Sequence, residues 1–275
     1  MSSAKGIIKN EVASSWTAKF PVMVIAHRGF SGARPENTCS AFKKAVEAGS
    51  DMIELDVRLS RDGRVVVIHD PDLERTTDGE GRVADYTLKK LQKFSAGFRF
   101  GANFFSEKIP TLKKVLDMIG GQVLVNIEIK NAHLGSYTLG DLADRALQEV
   151  QEAGMIDRVI FSSFYPPALE RIRGHKTGVR MAMLYHKPWD SVQEVTGGKI
   201  FSALNLRRIY LTRGRIDRVH AAGMQVNVYT VNSEEEMKKF IRWGIDGIIT
   251  NYPDRLLNIL RSLFPGGRNL KIAKP

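Results

Sequence analysis

The chain of 275 residues has a single cysteine, Cys39. That excludes an internal disulfide and any paired-cysteine metal motif, and it fits a reducing compartment. No stretch approaches the ~18 consecutive apolar residues of a membrane-spanning helix. Residues 1–21 are polar, with Lys5, Lys9, Glu11 and Lys19, and lack the roughly 7–15-residue apolar core of a secretory signal. They read as an N-terminal extension, and the cytoplasm is the expected location, with no stable membrane insertion. There is no run of five basic residues, no zinc-finger spacing and no RNA-stacking motif. Gly-x-Gly-x-x-Gly does not follow the first apolar run, which weighs against a dinucleotide fold.

What is present is the composition of a globular protein, 43% hydrophobic and 26% charged. The formal net charge is +11, and the basic residues are scattered, as at Lys43, Lys44, Lys89, Lys90, Lys93, Arg207, Arg208, Arg213, Arg215 and Arg218. Scattering disfavours nucleic acid as a partner. Two readings remain, steering of a small anionic substrate and a merely solvated basic surface.

Short apolar runs alternate with amphipathic segments. Strands are predicted over 22–26, 52–57, 123–129, 159–162, 180–185, 202–206, 225–230 and 247–250. Helices are predicted over 37–48, capped by Asn37 or Thr38, over 139–153 before Gly154, over 216–222 before Gly223 and over 233–243 before Gly244. Strand–helix alternation means a parallel sheet, and eight strands suggest a closed (β/α)8 barrel, with an open doubly wound sheet as the alternative. Two features break the alternation. Residues 64–69 read as an extra strand, joined to the second strand by a hairpin at Asp62-Gly63. Residues 70–110 then form an insertion with a short helix near 88–94 and phenylalanines at 94, 98, 100, 104 and 105. An insertion of that length usually sits over the mouth of a barrel. Most of its aromatics are expected to build a small satellite core, with one or two facing substrate.

Catalytic side chains of a barrel gather at the C-terminal strand ends. The first predicted strand ends in His27-Arg28-Gly29, the second carries Glu54-Leu55-Asp56, its hairpin partner ends in His69-Asp70, and the third ends in Glu128-Ile129-Lys130. Residues i and i+2 of a strand share a face, so Glu54 and Asp56 point the same way. Carboxylates on a buried face are costly unless compensated. Glu54, Asp56 and Glu128 from neighbouring strands therefore call for a cation, and an all-oxygen set suits Mg²⁺ or Ca²⁺. A salt-bridge network with Arg28 and Lys130 and no metal is the alternative. His27 and His69 flank this cluster, where one imidazole can remove a proton and the other deliver one. Arg28 and Lys130 are suited to phosphate oxygens, and together with a cation they would neutralise a phosphoryl transition state. His133, His175, His186 and His220 lack such a setting and read as surface or loop residues.

The ordered series of motifs resembles the glycerophosphodiester phosphodiesterases. It runs through His27-Arg28-Gly29, Pro35-Glu36-Asn37-Thr38, Glu54-Leu55-Asp56-Val57, His69-Asp70-Pro71, Arg75-Thr76-Thr77, Glu128-Ile129-Lys130, Ser162-Ser163-Phe164, Tyr229-Thr230-Val231-Asn232 and Gly247-Ile248-Ile249-Thr250-Asn251. The resemblance covers nearly the whole chain. It implies a TIM barrel over residues 22–264 with a small subdomain inserted after the second strand, and a C-terminal tail over 265–275. It also implies hydrolysis of a small anionic glycerophosphodiester to sn-glycerol 3-phosphate and an alcohol. Carried over, Glu54, Asp56 and Glu128 match metal ligands, His27 and His69 the acid–base pair, and Arg28 and Lys130 the phosphate contacts. Two positions depart from the family: Tyr229 stands where Trp is frequent, and Asn251 where Asp is frequent. Tyr229 is expected to face the glycerol pocket. Glu36 is a weaker candidate, equally suited to bracing the loop near Arg28. The competing functions are a lysophospholipase D-like hydrolase of larger lipids, related in type to sphingomyelinase D, and an inactive anion-binding protein. The intact histidine pair and carboxylate set argue against the latter.

Overall fold

A strand buried on both faces needs apolar residues on both, and the parallel runs of this chain meet that condition only in their lower halves. The computed structural model describes residues 16–131 and 135–267. His133 and most of the two terminal segments lie outside the described residues. In chain order the elements are β1 (Met23–Ala26), α1 (Cys39–Ala48), β2 (Met52–Leu59), β3 (Val65–Val67), α2 (Leu88–Leu91), α3 (Leu112–Ile119), β4 (Leu124–Ile129) and α4 (Leu139–Glu152). There follow β5 (Val159–Ser163), α5 (Pro166–Gly174), β6 (Arg180–Tyr185), α6 (Val192–Thr196), β7 (Ala203–Arg207), α7 (Arg213–Ala221), β8 (Gln225–Tyr229), α8 (Glu234–Arg242), β9 (Gly247–Thr250) and α9 (Pro253–Leu263).

Parallel pairing runs from β1 through β2, β4, β5, β6, β7, β8 and β9, and β9 pairs back onto β1. The sheet therefore closes into a TIM barrel, and the open doubly wound alternative is excluded. β3 is the expected extra strand, antiparallel to β2 with Val57 opposite Val67.

Period-two alternation divides each strand between two cores. Outward residues such as Ile53, Leu55 and Val57, or Val125, Ile127 and Ile129, pack with the helices in the larger core. Inward residues Ile25, Met52, Leu124, Ile160 and Ile249 fill the lower barrel. Further up, the same inward rows turn polar. Met52 is followed by Glu54 and Asp56, Leu124 by Asn126 and Glu128, and Ile160 by Ser162. All five of these polar residues are buried. The register sets Glu54 beside Asn126, Asp56 beside Glu128, and Glu128 beside Ser162.

Caps fix where the helices begin. Thr38, not Asn37, caps α1 by accepting from Ala41 N. Thr212 caps α7, so that helix starts earlier than the apolar spacing implies. Ser233 caps α8, whose first turn carries three glutamates that favour the helix dipole.

The insertion folds onto β3 through a satellite core of Val66, Ile68, Leu73, Val83, Leu91, Ala96 and Ile109. Its phenylalanines correct the expectation. Phe94 packs against this core, but Phe98, Phe100 and Phe105 are exposed. Aliphatic residues already fill the small core, so the later phenylalanines have nothing to pack beneath.

The contrast gives a stability test. Phe42 of α1 is fully buried in the larger core. Phe42→Ala should cost about 3–5 kcal/mol in urea denaturation, whereas Phe105→Ala should stay within about 0.5 kcal/mol of the parent.

Candidate active site

Three carboxylates meet where the inward rows of β2 and β4 turn polar. Glu54, Asp56 and Glu128 each offer an oxygen within 4.8 Å of the others, and all three are buried. Their counter-charges come from the adjoining strand ends. Lys130 Nζ lies 3.0 Å from Asp56 Oδ1 and 2.5 Å from Glu128 Oε1. Arg28 Nε lies 3.3 Å from Asp56 Oδ2. The Arg28 backbone N–H donates to Glu54 Oε2 at 2.9 Å. That last bond needs an unusual backbone, because Arg28 sits in the left-handed region at φ 55. Such strain in a non-glycine residue persists only where surrounding contacts over-determine it.

The ion pairs of the salt-bridge alternative are thus present, but they do not give each carboxyl a cation of its own. Arg28 is shared with Glu36, its Nη1 donating to Glu36 Oε1 at 2.7 Å. Glu54 makes no ion pair among the described residues. Asp56 Oδ1 faces Lys130 without a hydrogen bond of regular geometry, so it keeps lone-pair capacity. The all-oxygen set fits a metal ion.

Ionisation follows the same geometry. Burial, then the neighbouring Asp56 and Glu128 charges, push the Glu54 carboxyl well above its usual range. Burial also raises Glu128, against the pull of Lys130. Burial opposes ionisation of Asp56 too, but Lys130 and Arg28 outweigh it and hold that carboxyl well below the ordinary value.

The two histidines have different supports. His27 Nδ1 lies 2.7 Å from Asn251 Oδ1. Burial, reinforced by Arg28, lowers the His27 imidazole to about 4. His69 Nδ1 lies 2.6 Å from Asp70 Oδ1, and Asp70 in turn pairs with Arg75. Burial lowers His69 as well, with Asp56 and Asp70 opposing. Arg58 donates from Nε and Nη2 to the His69 carbonyl, at 2.9 and 2.6 Å, and so fixes the turn that carries the ring.

One pocket of about 180 Å³ brings together His27, Arg28, Glu54, His69, Glu128 and Lys130. Tyr229 also lines it, but its hydroxyl donates to the Tyr185 carbonyl at 3.0 Å, so it presents its ring. The Tyr229–Thr230 peptide is cis. Glu36 braces the loop: Arg75 donates to both of its oxygens, at 2.9 and 2.7 Å, while Arg28 binds the same carboxylate. His175 and His220 are exposed and paired with Asp144 and Asp246. His186 is exposed and edge-on to Phe164, 5.0 Å between centroids.

Two further residues support the site although the sequence did not single them out for it. Asn37, at φ 57, donates from Nδ2 to Asp56 Oδ2 at 2.8 Å. Asn126 lines the floor beside Glu54 with its Oδ1 unpartnered. Its position two residues before Glu128 is the signal that would have found it.

The model of the glycerophosphoryl diester phosphodiesterase family matches residues 27–255. The chain belongs to that family. Its members are phosphoric diester hydrolases. It is similar to a glycerophosphodiester phosphodiesterase of Caldanaerobacter subterraneus subsp. tengcongensis, 38% identical over 246 residues that cover 87% of this chain and 98% of that protein. A glycerophosphodiester phosphodiesterase of Bacillus altitudinis is 34% identical over 242 residues, covering 86% and 97%. Among solved structures, an Oleispira antarctica phosphodiesterase in complex with the product sn-glycerol-3-phosphate superposes with a TM-score of 0.81 at 28% identity, covering 87% of this chain and 96% of that one. No helix among the described residues is long and apolar enough to cross a membrane.

The raised carboxyls carry a testable consequence. Burial lifts Glu54 and Glu128 above their unfolded values, so the metal-free fold loses stability as pH rises from those values up through the raised ones. A bound cation displaces the protons, and its affinity should rise over the same interval. Calorimetric titration with Mg²⁺ or Ca²⁺ in two buffers of different ionisation enthalpy should register net proton release. Heats independent of buffer would contradict the ionisation pattern.

Proposed function

We propose that the chain hydrolyses glycerophosphodiesters to sn-glycerol 3-phosphate and an alcohol, with one divalent cation of the Mg²⁺ or Ca²⁺ class and His27 and His69 as its acid–base pair. The observation that carries this reading is the convergence of Glu54, Glu128, two histidines and two cationic side chains, drawn from neighbouring strand ends, on one pocket, with Asp56 buried against the same two carboxylates. The product in the Oleispira antarctica structure supports the same substrate class. The pocket is small, about 180 Å³, and lined by charged side chains, which suits a small polar diester.

Glu54, Asp56 and Glu128 would hold the cation, which when bound supplies Lewis-acid polarisation of a phosphoryl oxygen. Lys130 adds a point charge on that side. Arg28 turns Nη1 to Glu36 and Nε to Asp56, and its Nη2 is available to a phosphate oxygen.

The different supports of the two histidines favour a division of the proton steps. An amide oxygen can only accept, so Asn251 Oδ1 calls for the proton on His27 Nδ1 and leaves Nε2 with its lone pair. Burial keeps that ring neutral, and His27 takes the proton of the attacking hydroxyl. An aspartate in place of Asn251 would favour the charged ring instead. His69 has such a carboxylate in Asp70, which stabilises its protonated form, and it delivers a proton to the leaving alkoxide. Tyr229 walls the glycerol side with its ring. A cytoplasmic location belongs to this reading, in keeping with the free thiol of Cys39.

Release of glycerol 3-phosphate from glycerophosphocholine should stop on chelation and return with Mg²⁺ or Ca²⁺. His27→Ala and His69→Ala should each lower kcat by at least ~10²-fold while retaining cation binding. Full turnover in exhaustively chelated enzyme, or near-parental kcat in either variant, would remove that component from the mechanism.

A further inference from the structure

The exposed phenylalanines of the insertion lie in a segment of unusual charge. Residues 86–106 contain no aspartate or glutamate, but they carry Lys89, Lys90, Lys93 and Arg99 among five phenylalanines. Chance exposure in a frayed loop would show an open backbone. Here the loop is closed on itself. Ala96 N donates to Glu107 O at 2.8 Å, Phe100 N to Gly97 O at 3.0 Å, and Glu107 N to Phe104 O at 2.9 Å. Gly97 makes the closure possible, because a Cβ there would lie 2.0 Å from Phe104 O. The backbone therefore holds Phe98, Phe100 and Phe105 outward, at 43%, 44% and 52% exposure.

The rings form a patch and carry their own cations. Phe98 meets Phe105 edge to face at 6.0 Å, and Phe100 meets Phe104 at 5.1 Å. Arg99 lies over Phe98 at 5.1 Å and Arg34 over Phe104 at 5.3 Å. Phe100 also lines a hollow shared with Glu36 and Arg75. Glu36 bridges Arg75 to Arg28, a wall residue of the catalytic pocket. One layer of ion pairs thus separates the patch from the pocket.

We propose that residues 97–106, with Arg34, form a peripheral docking surface for an anionic lipid surface. Phenylalanine rings enter the acyl boundary while Arg34 and Arg99 meet lipid phosphates, the pairing that interfacial segments use. Charge complementarity selects this occupant. A second copy of the same patch would set Arg34 and Arg99 against like charges. Docking in this way would hold the pocket mouth near the headgroup layer, with no segment crossing the bilayer.

The test is co-sedimentation of the full chain with phosphatidylglycerol/phosphatidylcholine vesicles and with pure phosphatidylcholine vesicles. Binding is read without turnover, so it stands apart from the hydrolytic reading. The parent protein should bind the anionic vesicles. The double variant Phe98→Ser, Phe105→Ser should bind at least about tenfold more weakly, with an unchanged rate on a soluble diester. Should that variant misfold, Phe98→Trp gives a second readout, an emission shift to the blue on adding anionic vesicles. Three results would overturn the proposal: no binding by the parent chain, equal binding by the double serine variant, or no shift from the tryptophan. Self-association without lipid that the serine substitutions abolish would also overturn it, by making the patch a contact between copies.

Discussion

Three carboxylates buried in the upper barrel are the constraint around which the rest of the site is arranged. Ionised carboxylates removed from water, within 4.8 Å of one another, repel strongly and lose their hydration. Much of the local architecture answers that cost. Lys130 reaches across from the end of β4, Arg28 approaches from the end of β1, and Asn37 donates from the loop between. Two non-glycine residues, Arg28 and Asn37, hold left-handed backbone conformations that make these contacts. The lower barrel supplies a rigid apolar floor of methionine, leucine and isoleucine under the charges. The compensation is incomplete, and an incompletely balanced oxygen cluster is what a cation site requires.

A second layer of charge sits behind the first. Asp70, Arg75 and Glu36 form a chain from the His69 ring back to Arg28. It ties the two strand ends and the insertion into one unit, so the insertion helps to hold the pocket. His27 stands outside that chain, with a neutral amide partner. The two imidazoles thus differ in environment although both flank the same carboxylates, and a difference of that kind suits them to different proton-transfer roles.

Much of this was legible in the chain itself. All eight barrel strands are short apolar runs, and the i, i+2 spacing of Glu54 and Asp56 places both on one face without further information. The pocket unites His27, His69, Arg28, Lys130, Glu54 and Glu128, with Asp56 buried beside them in the carboxylate cluster. Single contacts between distant residues were not legible, because they depend on three-dimensional approach: Asn251 on His27, 224 positions apart, or Arg75 on Glu36. Asn37 and Thr38 both read as caps of the first helix; Thr38 takes that place and Asn37 turns to Asp56. The insertion was misjudged for a different reason. Hydrophobic residues are ordinarily counted towards a core, but Leu73, Val83, Leu91 and Ile109 filled this one before the later phenylalanines could enter.

If charge repulsion among the carboxylates is kept for function at a cost in stability, removing one of them should separate the two. Glu54→Gln preserves the shape and can still accept from the Arg28 N–H, while it deletes one negative charge. The decisive measurement is the thermal melting of parent and Glu54→Gln protein at neutral pH, each in chelator and in Mg²⁺ or Ca²⁺, alongside the rate of glycerol 3-phosphate release. In chelator the variant should melt above the parent. The parent alone should gain substantially from the cation, and the variant should be nearly inactive. A variant that melts lower in chelator, or that retains parental activity, would contradict the account.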